Sequence, residues 1–402
     1  MDEIIETRCA IAGGGPAGMM LGFLLARQGV DVVILEKHAD FLRDFRGDTI
    51  HPSTLQLMHE LGILGEFLQR PHQEVRTLSG QIGRRTVVLA DFRHLPTECK
   101  FVALMPQWDF LDFIKEHAAK YPNFHLRMEA EVIGLIEENG AVQGLRAKTK
   151  IGELTIRAAL AVGADGRRST VRKSAGLPVI DLGAPMDVLW MRISRRPTDN
   201  EQTFGHIERG KMLVMLNRET YWQCAYVIPK GEGDNVKARG LGAFREAIAD
   251  LEPILKDRVD ELRDWSQVSL LSVAVDRLER WHKPGLLCIG DAAHAMSPIG
   301  GVGINLAIQD AVASSNLLGP ILAQRVPSDA ELHMVQQRRA FPTKATQTMQ
   351  ITIQNNFLKN VLGKTETPSL PWVFKLAQVF PLFRRVPARI VGLGFRPEHI
   401  LR

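Results

Sequence analysis

Four cysteines in 402 residues (Cys9, Cys99, Cys224 and Cys288) are too few and too scattered for a disulfide framework. Cys9 and Cys288 fall inside apolar runs that read as core strands, which suits a reducing compartment, so a cytoplasmic location is expected. No cysteine–histidine spacing suggests a metal site, and none is expected. No run of about 18 apolar residues exists, so no transmembrane segment is expected. The amino terminus, Met1-Asp-Glu-Ile-Ile-Glu6, is acidic and lacks the charged-then-apolar layout of a secretory signal. Excess charge is scarce too. Fifty Lys and Arg against 45 Asp and Glu leave a net charge of +5, which does not argue for nucleic acid; a basic anion site accounts for it. What remains is ordinary for a globular chain, 45% apolar and 24% charged, long enough for about two domains.

The most informative stretch lies near the start. Residues 9–12 are an apolar run short enough for a buried strand, residues 19–26 suit a helix packed on a sheet, and residues 30–35 read as a second strand ending at Glu36. Between strand and helix, Gly13, Gly15 and Gly18 have G-x-G-x-x-G spacing. The three glycines serve different ends, namely a tight turn, a close backbone approach to a pyrophosphate, and close helix–strand packing. Free N–H groups and the positive helix end then hold phosphate. Glu36 follows Gly18 by 18 residues, near the roughly 20 expected for an acid that accepts from a ribose hydroxyl. The triplet alone would be weak evidence; with strands, helix and acid in place it predicts a dinucleotide site.

Two later stretches refine this. Residues 286–310 run from a buried strand through Gly290-Asp291 and a glycine-rich loop (Pro298, Gly300, Gly301, Gly303) into a helix beginning near Ile304 and Asn305. Residues 161–172 form a strand end, Asp165-Gly166, then Ser169 and Arg172 at a helix start. Together with the amino-terminal fingerprint, and in the same order, these motifs resemble the flavoprotein aromatic monooxygenases, the para-hydroxybenzoate hydroxylase-like, FAD-dependent (group A) family. The resemblance covers roughly residues 5–345.

The resemblance implies FAD as cofactor and NAD(P)H as a transient co-substrate. It assigns cofactor binding to Gly13, Gly15, Pro16, Ala17, Gly18, Glu36 and Lys37. Arg46, before a helix opened by Pro52, matches an arginine that meets the diphosphate. Gln107 stands where the family more often has an arginine at the ribityl chain, and Val132 falls where backbone meets adenine. Asp165, Gly166 and Arg172 match a motif serving both dinucleotides. Gly290 and Asp291 would serve the ribityl chain, with Pro298, Gly301, Gly303, Ile304 and Asn305 at the flavin. The implied cycle has NAD(P)H reduce FAD, oxygen add at flavin C4a, and the hydroperoxide deliver one oxygen atom to an electron-rich aromatic or polycyclic phenolic ring. No nucleophilic side chain is required, and a catalytic base cannot be named. His294 divides evenly between a family feature and a packed histidine, and His51 reads as a capping or surface residue.

The expected fold class is α/β, with a Rossmann-like FAD-binding domain, an inserted, mainly antiparallel substrate domain and a helical carboxyl terminus. The FAD-binding domain takes residues 1–72, 100–182 and 276–330; the substrate domain takes 73–99 and 183–275; the helical region is 331–402. Within it, Leu332, Val335 and Phe341 read as the apolar side of a helix, with Arg338 and Arg339 on a solvated face. Residues 124–148 read as a strand hairpin turning at Asn139-Gly140. In the substrate domain Trp190, Met191, Arg192, Tyr221, Trp222 and Tyr226 are lining candidates, but alternate strand residues face opposite ways. Residues 371–393 are apolar, aromatic and basic, compatible with a packed closing helix, peripheral membrane contact or a homodimer interface.

Other classes remain in play. A flavin-dependent halogenase would carry Trp-x-Trp-x-Ile-Pro, and the six tryptophans here never fall two apart. A flavin-dependent reductase of an isoprenoid or other hydrophobic substrate, and a non-catalytic FAD-binding protein, are not excluded. The expected partners are a small aromatic substrate and molecular oxygen.

Overall fold

The computed structural model describes residues 3–42, 49–83, 85–199, 204–358, 361–362, 378 and 380–401. Arg46 lies outside the described residues, as do residues 371–377 of the apolar carboxyl-terminal stretch.

The apolar runs build a parallel core. Glu3–Ala12 pairs in parallel with Val32–Leu35 on one side and Gly152–Gly163 on the other. Phe124–Arg127 extends the first edge and Leu286–Cys288 the second, again in parallel. Helices cover such sheets on both faces, which is why Val32–Leu35 is buried at every position. The helix Pro16–Arg27 is buried from Ala17 to Ala26. It lies so close to the sheet that a Cβ on Gly22 would come within 2.5 Å of Ile34 Cδ1.

The strands Glu131–Glu138 and Ala141–Thr149 form the expected hairpin. Its turn residues Asn139 and Gly140 have φ of 52° and 76°, as a two-residue type I′ turn requires. Phe124–Arg127 does not belong to it, contrary to expectation. The Asn123 side chain donates to the carbonyls of Ala26 and Val30, anchoring that strand beside Val32–Leu35.

A second sheet of seven strands joins Thr77–Ile82 and Arg85–Asp91 to strands from 186 to 271. Its pairings are antiparallel except that Phe204–Glu208 runs parallel to Thr77–Ile82. One face, with Met191, Trp222 and Tyr226, packs under the helix Leu241–Leu251 through Phe244 and Ile248. The opposite face carries Met186, Val188, Ala225 and Val227, against which the part-buried Trp190, Met212, Val214 and Ile299 pack. Period-2 alternation thus divides the lining candidates: Trp190 belongs to the face that Ile299 joins, whereas Met191, Trp222 and Tyr226 belong to the far core.

The long helix Asp329–Ile353 opens with a capping box between Ser328 and Glu331. Leu332 and Val335 face inward as expected. Two expectations are corrected. Arg339 is 1% exposed, because the buried carboxylates Asp310 and Glu398 converge on it. Phe341 is 49% exposed, edge-on to Phe395, with the Arg396 guanidinium over its ring. The architecture is therefore α/β, with two large sheets and two three-stranded ones among the described residues, and a helical carboxyl-terminal region. Among the described residues no helix is long and apolar enough to cross a membrane.

Candidate cofactor site

In the fingerprint loop the three glycines separate by what a side chain would meet. Gly13 has φ of 102°, and a Cβ there would run into the Ala164 carbonyl. A Cβ on Gly18 would strike the Gly13 carbonyl oxygen, whereas one on Gly15 meets nothing within 4 Å. The turn and the helix packing thus use Gly13 and Gly18, and Gly15 leaves a cradle open. The N–H groups of Ala17 and Gly18 precede the helix's first backbone bond, from Met19 N–H to the Gly15 carbonyl. No side chain caps this end and no acid lies in its first turn, so its positive pole is uncompensated. That donor set fits a diphosphate.

Glu36 sits at the same loop. One carboxylate oxygen accepts from Gly14 N–H at 2.9 Å and the other from His38 N–H at 3.1 Å. Lys37 beside it is exposed. Replacing Glu36 with Ala removes the acceptor expected at the ribose, a loss of about 1.5–3 kcal/mol for a hydrogen bond to a charged group. FAD affinity is expected to fall roughly ten- to a hundredfold. Fluorescence titration of the apoprotein measures it, and an unchanged Kd would remove Glu36 from the site.

The Asp-Gly loop packs directly behind. Asp165 accepts from Val171 N–H at 3.2 Å, and burial raises its pKa against the hydrogen bonds from Ser169 and that turn. Ser169 caps the short helix Thr170–Ser174 by accepting from Arg172 N–H, and Gly166 has φ of 82°. The Arg172 guanidinium pairs with the carboxylate of Asp276 at 3.1 Å and donates to the Arg167 carbonyl. The reason is electrostatic: Asp276 is 8% exposed and needs a counter-charge.

Gly290, with φ of 58°, is where the loops meet. A Cβ there would approach both Ala17 and Ala307, within 3.1 and 3.2 Å. Asp291 follows at the strand's carboxyl end, a third exposed and paired with Arg167 at 3.1 Å. Beyond it, Pro298 leads into Gly300 and Gly301, with φ of 77° and 63°. Thr49 fixes this turn by donating to the Gly301 carbonyl at 2.8 Å.

The helix Gly303–Leu322 begins with no side-chain cap and no acid in its first turn. Its first internal bond is Leu306 N–H to the Val302 carbonyl, so the N–H groups of Gly303, Ile304 and Asn305 precede it. A Cβ on Gly303 would meet only Met296 Cβ, at 3.9 Å. The amide side chain of Asn305 is already used. Its oxygen accepts from His51 N–H and the Thr54 hydroxyl at 3.0 and 2.7 Å, and its nitrogen donates to the Thr49 carbonyl at 3.3 Å. The Asn305 side chain thus secures the helix start. His51 is neither a surface residue nor a side-chain cap. It is buried, its Nδ1–H donates to the Val391 carbonyl at 2.6 Å, and burial lowers its pKa to about 4, which keeps the ring neutral.

Behind the loop lies a network that sequence reading missed. Asp310, fully buried, accepts from Gly290 N–H at 3.1 Å, from His294 Nε2 at 2.6 Å and from Arg339 Nε at 2.9 Å. His294 is the packed histidine, its ring 4.9 Å from that of Trp281. On the long helix and at its carboxyl cap, Gln347, Gln350 and Gln354 face the same loop. Gln347 donates to the carbonyls of Asp276 and Ala295, Gln350 to those of Ser297 and Ile299, and Gln354 to the Ser297 hydroxyl. Their i, i+3, i+7 spacing puts three amides on one helical face, a signal visible in the sequence but indistinguishable there from a solvated stripe. Gln107 is half-buried as the first residue of the helix Gln107–Ala118, and Val132 lies on a hairpin strand opposite Ala147. Among the described residues no group of three or more metal-capable side chains converges.

Two uncompensated helix starts, glycine-lined and joined through Gly290, define a flavin dinucleotide-binding class of oxidoreductase. A family model described as FAD binding domain matches residues 6–349, and the chain belongs to that family, the FAD-dependent monooxygenases resembling para-hydroxybenzoate hydroxylase. It is 33% identical over 388 residues to 6-methylpretetramide 4-monooxygenase of Streptomyces rimosus, covering 96% of this chain and 92% of that protein. Rifampicin monooxygenase of Streptomyces venezuelae is 29% identical over 316 residues, 75% of this chain and 61% of the relative's length. The fold matches p-nitrophenol 4-monooxygenase of Pseudomonas putida with a TM-score of 0.74 at 20% identity, over 97% of this chain and 96% of that one. A probable FAD-dependent monooxygenase of Pseudomonas aeruginosa matches with a TM-score of 0.73 at 21% identity, over 88% of this chain and 97% of that one. FAD is the cofactor of the family.

Proposed function

We propose that the chain is a cytoplasmic, NAD(P)H-using hydroxylase of an aromatic or polycyclic phenolic compound. The observation that carries this is the open, uncapped helix start at Gly303, set beside Ile299 and the apolar sheet face of Trp190, Met212, Val214, Ala225 and Val227. When bound, FAD would supply the redox chemistry: acceptance of a hydride from NAD(P)H and transfer of one atom of molecular oxygen to an electron-rich ring, the other atom leaving as water. The chain itself has to hold and orient the cofactor and keep the site dry. Gly13, Gly15, Pro16, Ala17 and Gly18 would cradle the diphosphate, and Glu36 with Lys37 would hold the ribose end. Val132 would meet adenine through its backbone, and Gln107 and Asp291 the ribityl chain. The backbone of Gly303, Ile304 and Asn305 would stabilise negative charge at the pyrimidine edge. On the sheet face, the part-buried Trp190, Met212 and Val214 offer apolar side chains against which a flat ring system can displace water. The substrates that the relatives are named for, 6-methylpretetramide and rifampicin, support a polycyclic substrate class.

Oxygen uptake with NADPH or NADH and a panel of phenols tests the reading. Substrate-dependent oxygen consumption with a hydroxylated product is expected. Turnover without oxygen would make the chain a reductase instead. Gly303→Val sharpens the test, since the site has room for a side chain in the folded protein. The branched side chain would displace the flavin ring, and a 1 Å misplacement can lower productive turnover on the order of a hundredfold. Residual NAD(P)H oxidation should then leak hydrogen peroxide. Unchanged coupling in this variant would move the ring away from Gly303.

A further inference from the structure

The carboxyl-terminal helix Arg385–Gly392 has an inner side that the fold uses and an outer side that it does not. Inward, Ala388 and Gly392 are buried, and a Cβ on Gly392 would come within 2.6 Å of Leu95 Cδ1. The helix packs on Arg85–Asp91 and Phe92–His94. Outward, Phe380, Leu382, Phe383 and Val386 are 54%, 64%, 49% and 58% exposed. Phe380 and Phe383 meet edge to face, with ring centroids 6.3 Å apart, and Val386 continues their three-residue spacing. Contiguous large apolar side chains at a surface mark a contact site rather than chance exposure.

The charges around this ridge are predominantly basic. Arg385 and Arg389 are exposed and make no ion pair among the described residues, and Arg384 donates to the Gln378 carbonyl. The elements packed against the helix add Arg85, Arg93 and His94, against one acid, Asp91, which Arg93 holds at 2.7 Å. The sequence agrees: residues 367–397 contain five basic side chains and no acidic one. A second copy of this face would bring arginine against arginine, which disfavours a symmetric dimer here. An apolar ridge between arginines, whose stems lie along apolar surface while their heads stay in water, matches a bilayer interface with anionic headgroups. We propose that this face docks the enzyme on an anionic lipid surface.

The test is co-sedimentation of the full FAD-loaded chain with vesicles of phosphatidylglycerol and phosphatidylcholine, and with vesicles of phosphatidylcholine alone. Binding is expected to the anionic vesicles only, and to disappear at high salt. The double variant Arg385→Gln/Arg389→Gln should bind roughly thirtyfold more weakly, from about a fivefold loss per cation near the surface. Phe380→Ser/Phe383→Ser should also weaken binding, through lost apolar insertion. These side chains are exposed, so an unchanged melting temperature is the folding control. No sedimentation with anionic vesicles, equal binding to neutral ones, or unaltered binding by both variants would overturn the proposal. A dimer that the Phe380/Phe383 variant converts to monomer, without vesicle binding, would assign the face to a second copy and overturn it too.

Discussion

Asp310→Ala is expected to cost about 3–5 kcal/mol of stability, the range for removing one partner of a buried ion pair. The carboxylate holds three donors at once: Gly290 N–H at the loop, His294 Nε2 and the Arg339 guanidinium, all inside the protein. Truncation leaves Arg339 with Glu398 at 3.4 Å as its remaining carboxylate and leaves the buried Gly290 N–H without its acceptor. At roughly 2.1 cal/mol/K of unfolding entropy per residue, a cooperative chain of this size should lose about 5 °C in Tm. Because Gly290 N–H belongs to the cofactor loop, FAD release at moderate temperature should accompany the loss. Asp310→Leu/Arg339→Met removes both charges and should recover part of the stability, as replacing a buried ion pair with apolar residues does. The single variant melting within a degree of wild type would show that the network carries nothing.

The same carboxylate gives a pH dependence of defined sign. Burial pushes the Asp310 pKa up, but His294 and Arg339 together outweigh it, so the net shift is down. A depressed folded pKa stabilises the fold above the unfolded value of about 3.9. The advantage of wild type over Asp310→Ala should therefore be full above that pH and fade as pH falls through the lowered folded value. A constant difference across acid pH would assign the effect to packing alone.

The sequence revealed the parts whose signals are local. The strand–glycine–helix–strand unit, the Asn139-Gly140 turn and the alternation of the second sheet all follow from spacing within short, continuous stretches of chain. What stayed hidden is pairing across long separations. Glu398 meets Arg339 from 59 residues away, and Arg172 meets Asp276 across 104. An arginine destined for a buried carboxylate looks in sequence like any solvated arginine, and Arg339 is such a residue. Asn305 shows the complementary limit. Its place at the helix start was legible, but the claims of His51, Thr54 and Thr49 on its side chain were not. The pattern of Phe124–Arg127 suits either sheet partner, and only the Asn123 anchor decides between the hairpin and the parallel edge.

Gly15→Val should lower FAD affinity roughly ten- to a hundredfold while leaving the apoprotein's melting temperature unchanged. Neighbouring glycines provide the contrast. At Gly18 a side chain would collide with the Gly13 carbonyl, and at Gly13 both the positive φ and the Ala164 carbonyl oppose one, so substitutions there damage the fold itself. At Gly15 the backbone is extended, with φ of −75° and ψ of −176°, a conformation that β-branched residues accept readily. Nothing of the protein lies within 4 Å of the added Cβ, so the folded chain loses little by carrying it. On the proposed reading, the space it fills is the one through which a diphosphate reaches the N–H groups of Ala17 and Gly18. Forcing bulk into a close contact costs about 1–3 kcal/mol, which sets the expected loss of affinity. Titration of apoprotein with FAD, alongside melting of the apoprotein, separates the two effects. Unchanged FAD affinity with an unchanged melting temperature would place the diphosphate elsewhere, and a fall in apoprotein stability would mean that the open cradle belongs to the fold rather than to the cofactor.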